Sequence, residues 1–193
     1  MKLPRLFATT FRIHGALALA LGLASAQTAR ADEGSLMLSD FETVSEWRNA
    51  TRPELTPFTS VSAAELVKSG RASARWTHLA RHKWIELVDC PADWSAYEAL
   101  SLWLHSEKAN GQVINLRVAA TTPDNPEGYY LHQIGVDWTG WRQVVVPLSA
   151  FKKNRSPAPW SQVTGFRMSS AGWKATPLSD SVLHLDELRL IRR

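Results

Sequence analysis

The chain has 193 residues, a formal charge of +4, and 45% apolar and 21% charged residues. These are the proportions of a folded globular protein, and they exclude a disordered or collagen-like chain. The basic excess is local. Lys2, Arg5, Arg12 and Arg30 lie in residues 1–31 with no acid among them, so the remaining 18 basic residues balance all 18 acidic ones. A neutral body lacks the basic face that nucleic-acid binding needs, and no nucleic-acid partner is expected.

Residues 1–31 read as a secretory signal. A positive start is followed by the short apolar run 15–23 and by two small-residue cleavage positions, Ala24-Ser25-Ala26 and Ala29-Arg30-Ala31. The run is about half of the ~20 residues that a membrane span needs. The body, residues 32–193, is therefore expected to be one exported domain without a membrane span, in the periplasm or outside the cell. Cys90 is the only cysteine, so the domain has no internal disulfide to stabilise it.

Along the body the pattern is that of short strands. Segments 36–42, 72–77, 83–88, 99–106, 112–120, 129–136, 142–147, 164–169 and 182–191 are rich in Val, Leu, Ile and Trp. Turn residues bound them: Ser69-Gly70, Asn110-Gly111, the Pro123-Asp124-Asn125-Pro126 loop and Thr139-Gly140. Helical signals are single turns near 63–68, 95–97, 149–151 and 160–163. About nine strands without a long helix predict an all-β sandwich or jelly roll. Alternation places Leu100, Leu102 and Leu104 on one face of a strand and Trp103 and His105 on the other. Ile114, Leu116 and Val118 likewise oppose Asn115 and Arg117. The Asn110-Gly111 turn predicts that these two strands form a hairpin, which would set Trp103, His105, Asn115 and Arg117 side by side.

A family resemblance rests on short motifs in a fixed order. They are Asp40-Phe41-Glu42 with Trp47, Ser69-Gly70-Arg71-Ala72-Ser73-Ala74-Arg75-Trp76, Asp93-Trp94-Ser95-Ala96-Tyr97 and Leu100-Ser101-Leu102-Trp103-Leu104. Then come Val136-Asp137-Trp138-Thr139-Gly140-Trp141, Val146-Pro147-Leu148-Ser149 and Leu185-Asp186-Glu187-Leu188-Arg189-Leu190. This order resembles galactose-binding-like carbohydrate-binding modules, and in particular modules attached to bacterial polysaccharide lyases of the heparinase and alginate-lyase type. The resemblance implies a jelly roll that binds carbohydrate without catalysis and works beside a separate polysaccharide-degrading enzyme.

It also implies a structural calcium joining the first and last strands. Asp40 and Glu42, at i and i+2, would share the face of Leu36 and Leu38, and Asp186 that of Leu188 and Leu190. An acid aimed into an apolar layer needs a charge partner or a metal, and calcium takes carboxylates together with carbonyls such as those of the Lys68-Ser69-Gly70 turn. Ion pairs with Arg or Lys, or turn caps, would satisfy the same acids.

Nine tryptophans are more than a core of this size needs. Trp76, Trp94, Trp138 and Trp141 sit in the motifs that shape the sandwich. Sugar rings pack on aromatic faces, and Trp84, Tyr129, Tyr130 and Trp173 flank Gly- and Pro-containing loops. With Arg117 and His132 they are the expected carbohydrate-binding set. The basic segment 78–84 adds Arg81 and Lys83, and Arg can take a carboxylate through two parallel hydrogen bonds, which suits a uronic-acid-containing or sulfated sugar. The alternative is a small jelly-roll lyase, in which Tyr130 and His132 serve as base and acid and Arg117 neutralises the uronate. No phosphate loop, nucleophile elbow or zinc pattern is present in the sequence.

Overall fold

The structure, a computed structural model, describes residues 34–192; the expected leader lies outside them. The body is built from twelve strands: β1 (Ser35–Ser39), β2 (Trp47–Asn49), β3 (Phe58–Val61), β4 (Ser73–Trp76), β5 (Trp84–Leu87) and β6 (Ala99–Ser106), then β7 (Gln112–Ala119), β8 (Tyr129–Val136), β9 (Gly140–Pro147), β10 (Lys152–Asn154), β11 (Gly165–Ser169) and β12 (Leu183–Ile191). Among the described residues the helical signals near 63–68, 149–151 and 160–163 resolve to single 3-10 turns, and that at 95–97 to a turn closed by the Tyr97 amide donating to the Trp94 carbonyl. All ladders are antiparallel and make two sheets, one ordered β3-β4-β12-β6-β9 with β1 also on β12, the other β10-β8-β7-β11-β5-β2. This is a jelly-roll sandwich. All nine strands of the sequence pattern are present, and β2, β3 and β10 are additional.

Period-2 alternation decides what fills the interior. Leu100, Leu102 and Leu104 of β6 face Ile114, Leu116 and Val118 of β7 in one buried cluster. At one end Phe41, Trp47, Phe58 and Trp76 interlock, with Phe41 stacked on Trp47 at 5.5 Å and Phe58 edge-on to the other three rings. Trp76, Trp94 and Trp138 are buried as expected. Trp141 lies half-buried on the outside, its Nε1 donating to the Glu65 carbonyl.

The expected β6–β7 hairpin does not form. β6 pairs with β12 and β9, and β7 with β8 and β11. Asn110-Gly111 instead carries the chain from one sheet to the other, with Gly111 in the left-handed region. The apolar faces of the two strands still meet, now across the core. Their polar faces consequently lie on opposite outer surfaces, with Trp103 and His105 on the first sheet and Asn115 and Arg117 on the second.

Candidate functional site

The outer face of the second sheet carries one residue per strand in a continuous row. Lys152 on β10 is opposite Leu131 on β8, Leu131 opposite Arg117 on β7, and Arg117 opposite Arg167 on β11. Arg167 is then opposite Glu86 on β5, and Glu86 opposite Arg48 on β2. Four of these, Arg48, Glu86, Arg117 and Arg167, line a groove of about 610 Å³. Glu86 accepts from Arg48 Nε through Oε1 and from Arg167 Nε through Oε2, each at 2.5 Å. Burial pushes its carboxyl up, and these two hydrogen bonds more than offset that and hold it below the ordinary carboxylate value.

Arg117 is different. Among the described residues no carboxylate pairs with it; its guanidinium lies 4.6 Å from the Tyr129 ring centre. Burial and the neighbouring Arg167 both hold its pKa below the usual arginine value. The groove thus holds three guanidinium groups and one carboxylate, which engages two of them, and the third rests on an aromatic ring.

Tyr129 continues into an aromatic cluster beside the groove. The Trp173 Nε1 donates to the Tyr129 hydroxyl at 3.0 Å, and Trp84 packs edge-on to Trp173 at 5.6 Å. All three rings are partly exposed. Trp173 stands on a tight turn closed by the Ala175 amide donating to the Gly172 carbonyl. Gly172, Trp173 and Lys174 all have positive φ (88°, 47° and 73°). A side chain at Gly172 would press on the Trp84 ring, 3.3 Å from an added Cβ. The turn is held from below by Asn115, whose Nδ2 donates to the Ser169, Ala171 and Gly172 carbonyls. Gln133 Nε2 donates both to Asn115 Oδ1 and to the Trp173 carbonyl. Of the expected set, Trp84, Arg117, Tyr129 and Trp173 therefore meet on one face, and Arg48, Glu86, Gln133 and Arg167 join them.

Tyr130 and His132 do not join them. Arg117 pairs directly with Leu131, so alternation turns Tyr130 and His132 to the other side of the sheet. Tyr130 is 3% exposed. Its ring stacks on Trp160 at 3.9 Å and its hydroxyl donates to the Ala158 carbonyl. His132 packs against Phe151. The Tyr130, His132 and Arg117 trio of the lyase reading is thus divided between two faces. Cys90 also lines the groove, and burial pushes its thiol up to about 12, so it stays protonated and unreactive. The basic segment 78–84 is tied down as well. Leu79 enters the core, and the Arg81 and His82 carbonyls accept from Asn49 Nδ2 and Trp76 Nε1.

The acids expected near the termini sit differently from the alternation argument. β1 ends at Ser39, and Phe41 takes a left-handed conformation (φ 59°) that sends its ring into the core and leaves Asp40 exposed. On β12 a bulge at Glu187 (φ 48°) inserts one residue between Asp186 and Arg189 relative to β6. Leu183 and Leu185 before it and Leu188 and Leu190 after it all face inward, so Asp186 shares the outer face with His184 and not the face of Leu188. Asp186 is nevertheless fully buried, because the segment before β4 folds over it. Its Oδ2 accepts from the Lys68 and Ser69 amides at 2.9 and 3.1 Å, while Oδ1 has no hydrogen-bond partner. Burial pushes its pKa up. Glu42 Oε1 caps the same turn by accepting from the Arg71 and Ala72 amides. Asp40, Glu42, Asp186 and Glu187 all line one small cavity of about 210 Å³.

Comparison with known proteins gives the family and the fold. Residues 25–169 match the carbohydrate binding domain (family 11). No curated relative matches the sequence. Among solved structures, the chain is similar to the family 11 carbohydrate-binding module of the cellulosomal cellulase Lic26A-Cel5E of Clostridium thermocellum. Identity is 17% over 83% of this chain and 95% of that one, with a TM-score of 0.57. A Clostridium thermocellum family 11 module in complex with a β-1,3-1,4-mixed-linked tetrasaccharide is 18% identical over 82% and 96%, again at 0.57. The family 30 module of the cellulosomal cellulase Cel9D-Cel44B of the same organism is 15% identical over 82% and 98%, at 0.59. At these identities the structures establish a shared jelly roll, and the match over three quarters of the sequence establishes kinship: the chain belongs to the family 11 carbohydrate-binding domains.

Proposed function

We propose that this module binds a polysaccharide without cleaving it, along the outer face of the second sheet, and that the chain it binds contains uronic acid. The observation that carries the reading is Arg117. It is a partly buried guanidinium with no carboxylate partner among the described residues, laid on a tyrosine ring that belongs to a partly exposed aromatic cluster. Aromatic faces take the apolar face of a pyranose, and a guanidinium beside them takes a carboxylate through two bonds. The structural relative in complex with a β-1,3-1,4-mixed-linked tetrasaccharide supports a sugar chain as ligand. The division of Tyr130 and His132 from Arg117 weighs against elimination chemistry.

The test is isothermal titration against mixed-linked glucan, polymannuronate and polygalacturonate. Tyr129→Ala should cost about 2 kcal/mol, roughly thirtyfold in affinity. Arg117→Ala should weaken binding to the acidic chains and flatten its salt dependence. Unchanged affinity in both folded variants would move the site off this face.

Two further readings belong to the same proposal. Residues 1–31 direct export to the periplasm or exterior, where the module serves beside a polysaccharide-degrading enzyme; the exported protein should begin at Gln27 or Asp32. The second is a calcium ion in the cavity between β1 and β12. The unpartnered buried Oδ1 of Asp186 would be the strongest donor there, with Asp40 and Glu42 around it, while Glu187 is paired with Arg189, which also lines the cavity. The lining acids do not converge as three metal-ligating side chains, so the ion would take backbone carbonyls beside them. Its role would be to neutralise Asp186 and tie the first strand to the last. Chelator should then lower the melting temperature of the protein. Asp186→Asn, which keeps an acceptor for the Lys68 and Ser69 amides, should be indifferent to chelator.

A further inference from the structure

The groove contains a feature that the uronate reading does not use. Glu86 engages Arg48 and Arg167 through their Nε atoms. A guanidinium held at Nε keeps its two terminal nitrogens for another partner, and the bond fixes the plane in which they lie. Glu86 is 9% exposed and sits between the two arginines on the strand that separates β11 from β2. Arg48 and Arg167 retain 53% and 40% side-chain exposure. Strands lie about 4.8 Å apart, so the row across the sheet presents cationic groups at successive strands on β7 and β11, then a carboxylate on β5, then a third cation on β2. Arg117 and Arg167 are direct cross-strand partners. Like charges set opposite each other are unfavourable, and an anion between them would relieve that.

We infer that Glu86 is a positioning residue that presents Arg167 and Arg48 as two oriented forks. The groove thereby reads two carboxylates of one polyuronate chain crossing the strands, one between Arg117 and Arg167 and one at Arg48. The inference rests on the proposed uronate binding. It has a consequence opposite in sign to simple electrostatics. Removing the Glu86 charge makes the groove more positive, and long-range attraction alone would then tighten binding to a polyanion. If Glu86 acts by orienting the arginines, its removal releases them and binding weakens.

The experiment titrates the wild-type protein, Glu86→Gln and Arg48→Lys with mannuronate and galacturonate hexasaccharides and with their carboxyl-reduced forms, at several salt concentrations. Folding of each variant is checked by its melting curve. The expected result is at least a tenfold loss of affinity for the better acidic hexasaccharide in Glu86→Gln. Arg48→Lys, which keeps the charge and loses the fork, should lose affinity as well, and in both variants the loss should be larger for the acidic hexasaccharide than for its carboxyl-reduced form. Equal or tighter binding of the acidic hexasaccharide by Glu86→Gln overturns the positioning role, and so does wild-type affinity in Arg48→Lys. Arg48→Lys carries the test alone if Glu86→Gln does not fold. A wild-type protein that binds the reduced sugars as tightly as the acidic ones, or binds neither, overturns the uronate reading and this inference with it.

Discussion

Two adjacent tyrosines on β8 show how little separates a ligand contact from a core residue. Tyr129 points outward, shares a hydrogen bond with Trp173 and carries Arg117 on its face. Tyr130, one position on, points inward into the stack formed with Trp160 and Trp94. Its burial pushes the phenol pKa up, consistent with a hydroxyl committed to the Ala158 carbonyl. Removing each ring should therefore do opposite things. Tyr130→Ala opens a cavity in a packed layer and leaves the Ala158 carbonyl without its partner, which should lower the unfolding free energy by about 3 kcal/mol. Tyr129→Ala deletes a partly exposed ring and should leave stability within about 1 kcal/mol. Chemical denaturation of the two variants separates the roles, and equal losses would refute the assignment of faces. The sequence supplies no way to choose between the two rings, because both belong to one apolar, aromatic strand. Only the pairing of Arg117 with Leu131 fixes which of them shares the arginine's side.

At the scale of elements, the long strands were legible because their alternation runs for eight residues, and β6 (Ala99–Ser106) and β8 (Tyr129–Val136) fall where the pattern puts them. β2 and β10 are only three residues long, too short for a period of two to register, and β10 (Lys-Lys-Asn) is polar because it lies at a sheet edge. Pairing was less legible than strand existence. Asn110-Gly111 is a strong hairpin signal, yet here it spans two sheets, since β6 finds partners in β9 and β12 that no local rule foretells. The Glu187 bulge was likewise invisible, and with it the side on which Asp186 lies. The arginine row was missed for the same reason: Arg48, Glu86, Arg117 and Arg167 are scattered over 120 residues and meet only through register. The Trp173 turn has a more local logic. Both central residues of a type I′ turn need positive φ, and Trp173 and Lys174 adopt it without being glycine, at a cost of roughly 1 kcal/mol each. Lys174→Gly removes about 1 kcal/mol of such strain, and the greater freedom of glycine in the unfolded chain gives back about half of that. It should raise stability by about 0.5 kcal/mol in denaturant unfolding and leave glycan affinity unchanged, because Trp173 keeps its place. A destabilised Lys174→Gly would show that the lysine side chain holds the turn.

Across the whole molecule, the two outer faces differ in what they do with charge. The second sheet keeps cations accessible beside aromatic rings. The first sheet buries ionisable groups: Asp186 and His184 fully, with His105 half-buried and its ring edge-on to that of His184 at 5.3 Å. His184 is fully buried, with Nε2 3.1 Å from Glu107 Oε1 and Nδ1 without a partner; His105 Nδ1 is also unpartnered. Arg75 pairs with the same Glu107 at 3.7 Å, and Trp141 closes the other side of His105. Burial depresses the pKa of both histidines. For His105 the adjacent His184 adds to the depression, and for His184 the hydrogen bond to Glu107 opposes it without cancelling it. The sign follows from linkage. Between their depressed folded values and the ordinary 6.5, the unfolded chain binds protons that the native protein refuses, so native stability is complete above 6.5 and is lost as the pH falls through that interval. Glu86 acts in the same direction at lower pH, since its folded pKa lies below the ordinary carboxylate value. Asp186 acts in the opposite direction in the absence of calcium, because its pKa is raised. A melting series from pH 7.5 to pH 5 in chelator should therefore show the melting temperature falling as the histidines are forced to protonate. His184→Gln retains a donor for Glu107 and cannot take up a proton, so its curve should be flatter over the same interval. A His184→Gln protein with the wild-type slope would place the acid sensitivity elsewhere.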